Sequence, residues 1–207
     1  SRIARATGHP VSLGGPQPNF HVAVVSTSER RGLGPFLERH IPGLGPAARR
    51  AVLRPSRSVR CMVVAIPGPR GDYTGAIAVI PAELAAPERR SCLEEEIAQG
   101  MGLPNDAGRA GRSIFNDDNV HTVLTGFDML ILRTYYDPAL RSGMSRGEVA
   151  AALPGILART NPRGAAKRAS FSTRTPKDWT AAIQTALGRS ISFSGRNAAA
   201  SEAIRIA

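Results

Sequence analysis

An α+β domain, a small mixed sheet packed on helices, is the fold class this sequence predicts, and three observations predict it. β-Branched apolar runs occur at residues 19–26, 59–66 and 73–80, bounded by Gly- and Pro-rich clusters. Stretches with apolar residues at helical spacing stand between the first two runs and after the third. The chain has 207 residues and 42% hydrophobic composition, enough for one substantial core. No apolar run reaches the length that spans a membrane.

The elements follow in chain order. Residues 1–18 are rich in Gly, Pro and Arg and show no periodicity, which predicts an extended N-terminal arm. After the first strand, Ser26, Thr27 or Ser28 can cap a helix running to about residue 40, with Leu33, Phe36, Leu37 and Ile41 as its buried stripe. A second short helix covers residues 46–53. Gly68 and Gly71 mark a turn between the second and third strands. In the third, the small side chains of Thr74, Gly75, Ala76 and Ala78 suit an edge strand lying close to a ligand backbone. Thr125 caps a helix over 126–136 and Ser145 caps another over 146–159, where Pro154 predicts a kink or an early stop. Residues 160–175 read as a basic linker, Pro176 starts a last helix with Trp179, Ile183 and Leu187 on one face, and a tail follows Gly188. The organisation is thus an arm over 1–18, a single domain over 19–159, and a basic linker, helix and tail over 160–207.

The net charge of +11 would ordinarily point to a polyanion such as nucleic acid. The distribution argues otherwise. Residues 91–140 hold eight acidic side chains against three basic ones, a net −5, so the rest carries +16. Lys167 and Lys177 are the only lysines, aromatic residues make up only 5%, and no basic-aromatic stripe for stacking bases appears. Nucleic acid is disfavoured; an acidic centre suits a cation or a basic ligand, while the flanks suit an anionic surface. The chain starts at Ser1 without Met or a hydrophobic signal core, which suggests a processed or trimmed product.

The chain has two cysteines, Cys61 and Cys92. In an oxidising compartment they predict one disulfide; two buried thiols is the alternative. Cys92 as a nucleophile or metal ligand is disfavoured, because no histidine lies nearby to activate it. Residues 105–119 form a polar loop in which turn chemistry by Asn and Asp competes with an oxygen-donor cation site. Asn116, Asp117 and Asp118 would take calcium there, although their spacing is not that of an EF-hand.

The most informative stretch is 92–105. Plotted as a helix, Leu93, Ile97, Ala98 and Met101 share one side and Cys92, Glu95, Glu96 and Gln99 the other. Ser91 is placed to cap it, with Glu94 at capping-box spacing. Gly102 then permits a sharp turn and Pro104 prevents the helix from resuming.

Glu95-Glu96-Ile97-Ala98-Gln99-Gly100-Met101-Gly102-Leu103-Pro104-Asn105 resembles the metzincin signature His-Glu-x-x-His-x-x-Gly-x-x-His. Residues 124–136 resemble the helix that closes matrixin catalytic domains. Residues 90–145, with Ser113-Ile114-Phe115-Asn116-Asp117-Asp118 and Tyr136-Asp137-Pro138, resemble an uncharacterised family of exported proteobacterial proteins. The resemblance implies a zincin-like (metzincin-like) single domain and an envelope, periplasmic or extracellular, address. It also places Glu95, Gln99 and Asn105 at the three zinc-ligand positions and Glu96 at the general-base position. Gln and Asn carbonyls are weak zinc ligands, so zinc is not expected, and without it no bound water is activated.

The leading expectation is therefore a catalytically reduced zincin-like protein with no cofactor. It would bind a peptide or protein partner by strand addition along residues 73–80, in a cleft lined by Glu95, Gln99, Asn105, Gly75 and Ala76. One alternative is a peptidase-like hydrolase using Glu95 and Glu96 with a non-zinc metal or none. The other is a structural subunit of a surface or extracellular assembly, gripping neighbours through its termini.

Overall fold

The computed structural model describes residues 2–56, 59–108, 110–116, 121–166 and 181. Ser1–Pro162 form one compact unit, and a second begins at Arg163, of which 163–166 and 181 are described. Apart from residue 181, the helix expected from Pro176 and the tail lie outside the described residues. Among the described residues no helix is long and apolar enough to cross a membrane.

Among the described residues three strands form one mixed sheet: β1 (Phe20–Val25), β2 (Met62–Pro67) and β3 (Tyr73–Pro81), in the order β1-β3-β2. β1 pairs with β3 in parallel, Phe20 opposite Ala76 and Val25 opposite Pro81. β2 pairs with β3 antiparallel, Met62 opposite Val79. The β2–β3 turn is closed by Gly68 N–H to Asp72 O at 2.6 Å and by Gly71, whose φ of +75° suits glycine.

The position of β3 corrects the expectation that residues 73–80 form an edge. It is the central strand, bonded on both sides, so Gly75 and Ala76 cannot accept an added strand. Ala76 to Ile80 are all buried, the continuous apolar signature of a strand covered on both faces. The small side chains serve packing: Ile77 and Val79 meet the core on one face, and Ala76 and Ala78 alternate to the other.

On the first face lie α2 (Thr27–Arg31), α3 (Gly34–His40) and α4 (Pro46–Leu53). The single helix expected over 27–40 divides at Gly32–Leu33. Ser26 caps α2, and Leu37, Ile41, Leu44 and Val52 pack on Ile77 and Val79. Arg30 is buried, its Nε donating to Val52 O at 2.5 Å and its Nη2 to Met62 Sδ at 2.8 Å.

On the second face lies α5 (Ala86–Gly100), packed over β2 and β3. It begins a turn earlier than expected, with Pro87 in its first turn and Glu88 accepting from Ala85 N–H at 3.3 Å, so Ser91 is an interior residue rather than its cap. The far side of α5 joins a second core made by α1 (Arg2–Thr7), α6 (Gly126–Tyr135) and the loop at Ile114 and Phe115.

α1 replaces the first part of the expected extended arm. Ile3 and Ala6, three apart, bury one face against α6, and Thr7 Oγ1 donates to Ile3 O at 2.9 Å. Residues 8–19 do remain without helix or strand until Phe20. α6 and α7 (Arg146–Thr160) start where expected, at the Thr125 and Ser145 caps. α7 runs through Pro154 without stopping. The carbonyl that Pro154 cannot serve belongs to Ala150; both residues are exposed, so water can satisfy it. A short helix, α8 (Pro162–Ala166), follows.

Candidate functional site

The helix–reversal unit at 92–105 forms as expected. Met101 N–H bonds back to Ile97 O and Ala98 O, both at 3.2 Å, and Gly102 turns the chain with φ of +127°. α6 clamps this turn. A Cβ at residue 102 would lie 2.6 Å from Tyr135 Cε1 and 2.8 Å from its hydroxyl, while the Tyr136 hydroxyl donates to Met101 O. Burial, with Tyr135 adding to it, pushes the Tyr136 phenol up to about 12.

The faces of α5 separate as the periodicity requires. Ile97, Ala98 and Met101 enter the second core. Cys92, Glu96 and Gly100 lie four apart on the opposite side. Cys92 is bonded to Cys61, just before β2, and Gly100 sits against Phe20 of β1 and Val63 of β2. The general-base position, Glu96, is therefore on the sheet-facing stripe and only 5% exposed. Gln99 is buried too, its Nε2 donating to Asp106 Oδ1 at 2.7 Å. Glu95 is half-buried and Asn105 exposed. Thus the amide at the second ligand position is tied to its own chain.

Glu94 joins the elements around this unit. It accepts from Leu124 N–H at 2.8 Å and lies 3.2 Å from Arg90 and 3.6 Å from Arg2. Asp128 does the same for the loop, its Oδ2 accepting from Thr125 N–H at 2.7 Å and Ile114 N–H at 3.2 Å. Of the expected calcium ligands, Asp117 and Asp118 lie outside the described residues. Asn116 is buried with its amide nitrogen 3.5 Å from both Gly108 O and Ala110 O. Turn bonds organise the described part of this loop: Ala107 N–H to Phe115 O at 2.6 Å and Ser113 N–H to Ala110 O at 3.1 Å. Among the described residues no group of three or more His, Cys, Asp or Glu side chains is placed to hold a metal ion.

Two features escaped the sequence reading. The first is the outer edge of β1. Asn19 and Val25 carbonyls accept from Ala76 of β3 and from Ala82 just beyond it, both at 2.9 Å, so the alternate residues Phe20, Val22 and Val24 turn their backbone groups outward. Their side chains share the α5 side of the sheet, because Phe20 does. α5 lies over β2 and β3, and Val22 and Val24 remain 44% and 48% exposed beside it. Among the described residues no strand pairs with this edge, so the result is an apolar ledge beside open backbone groups, a few residues from Gly100. Edge or centre is a matter of topology, and no local signal distinguishes them.

The second is a pair of imidazoles. His21 of β1 and His40 of α3 have ring centroids 6.3 Å apart, although 19 positions separate them and neither belongs to a ligand-spaced motif. Phe36 packs against both rings, at 5.5 and 4.7 Å.

No curated protein and no solved structure matches the chain. One family model does, and its match runs from α1 through the disulfide, the α5 unit and the clamping α6 into α7. Over residues 1–155 this chain belongs to the family described as Protein of unknown function (DUF2927).

Proposed function

We propose that this chain is a catalytically reduced, zincin-like protein of the bacterial envelope or exterior that holds an extended peptide or protein partner along the outer edge of β1. The observation that carries the reading is the ledge of Val22 and Val24 beside outward-facing backbone groups. An unpaired edge supplies main-chain hydrogen bonds to an added strand, and alternate side chains supply selectivity. The metzincin-like unit at 95–105 is read as vestigial: the amide of Gln99 is bonded to Asp106, and Glu96 is buried under the sheet. The Cys61–Cys92 disulfide is compatible with an exported protein.

The experiment is selection of short peptides from a random display library on the oxidised protein, followed by binding to the Val22→Pro variant. Val22 N–H faces outward, so proline removes a docking donor without removing a ladder bond. Loss of peptide binding with an unchanged circular dichroism spectrum is expected. Equal binding by the variant would end the proposal for this edge. Stoichiometric zinc held by α5 in freshly purified protein would end the vestigial reading.

A further inference from the structure

We propose that His21 and His40 together bind one divalent first-row transition-metal ion, copper(II) most tightly. The fold brings the two imidazoles together from different elements, and two observations favour a shared ion over mere proximity.

Reach comes first. An imidazole nitrogen lies about 1.2 Å from its ring centre and binds a metal about 2.0–2.1 Å farther out, so two rings on one ion have centroids up to about 6.5 Å apart. The observed 6.3 Å falls within that span, and the rings are tilted by 53° rather than stacked. His40 is exposed, so its ring can turn to bring a nitrogen to the ion.

Preorganisation comes second. Phe36, one turn before His40 on α3, meets His21 edge-on at an interplanar angle of 87° and lies against His40 at 34°. One ring thus buttresses both ligands, so part of the ordering that binding requires is already present.

Among the described residues no third His, Cys, Asp or Glu completes a cluster, so the pair offers two imidazole ligands. Imidazole donors and the stability order of divalent ions place copper(II) ahead of nickel and zinc.

The test is titration of the oxidised 207-residue chain with copper(II) chloride by calorimetry, with electron paramagnetic resonance on the product. One ion per chain and a signal from two nitrogen ligands are expected. His40→Ala, at an exposed position, should weaken binding at least tenfold while leaving the thermal midpoint of the metal-free protein unchanged. His21→Ala should weaken it similarly, and His9→Ala and His121→Ala should not. Absence of stoichiometric binding, or binding that survives His40→Ala, overturns the proposal. Because Val22→Pro leaves both imidazoles in place, failure here is distinguishable from failure of the strand-addition reading.

Discussion

At the scale of single residues, the turn after α5 depends on atoms that leave no latitude. Gly102 combines a φ of +127° with a tyrosine ring where a side chain would begin. Gly102→Ala is therefore expected to cost about 2–4 kcal/mol, from backbone strain and from displacing Tyr135, as measured by urea unfolding. Tyr136 makes the same turn sensitive to alkali. Its phenol titrates at about 12 in the folded chain and near 10 when unfolded, so the folded state holds the proton more tightly. The contribution is whole below about pH 10 and is lost as pH rises through 12. Tyr136→Phe should flatten the fall in stability between those values in denaturant melts recorded at stepped pH. The glycine and the reversal were legible, since Gly102-Leu103-Pro104 stops a helix whatever surrounds it. The tyrosine clamp was not, because it comes from residues more than thirty positions away.

At the scale of elements, what could be read was what is local. The starts of α6 and α7 stand at Thr125 and Ser145, because a hydroxyl followed three residues later by a carboxylate satisfies backbone donors without tertiary help. Glu29 and Glu148 show the consequence. Serine hydroxyl and backbone N–H donors hold both carboxyls below their ordinary range. Their caps are intact above the unfolded carboxylate pKa and fray as pH falls through the lowered folded value. Helical circular dichroism should accordingly decline on mild acidification, and Glu148→Gln should remove the part belonging to α7. α1 and the central position of β3 were not legible. A six-residue helix gains its stability from the face it buries against α6, and a run of small residues fits a crowded centre as well as a bare edge. The ledge on β1 and the pairing of His21 with His40 follow from that same arrangement, which is why the candidate site was readable at α5 and unreadable beside it.

At the scale of the whole molecule, the disulfide joins residues 31 apart and encloses β2, β3 and the first half of α5. Chain-entropy arguments give such a loop about 3–4 kcal/mol of stabilisation. Reduction, or Cys61→Ser with Cys92→Ser, should lower the unfolding free energy by about that amount in paired denaturant melts with and without dithiothreitol. The charge pattern has an expression at this scale as well. The acidic residues between 91 and 140 meet basic ones from elsewhere in the chain, as where Arg2 lies 3.6 Å from Glu94 and Arg159 donates to both oxygens of Asp137. Part of the positive excess therefore neutralises the protein's own centre.

The parallel pairing of β1 with β3 favours one order of assembly. A strand that ends at residue 25 must wait for its neighbour, which is not complete until residue 81. β2 and β3 need only a short turn to meet, whereas β1 must close a much longer loop. During synthesis the hairpin is therefore expected to form first, with one flank of its inner strand bare. That vacancy closes when β1 folds back onto it, and until then the bare flank is expected to be open to capture by a chaperone or by another copy of the chain.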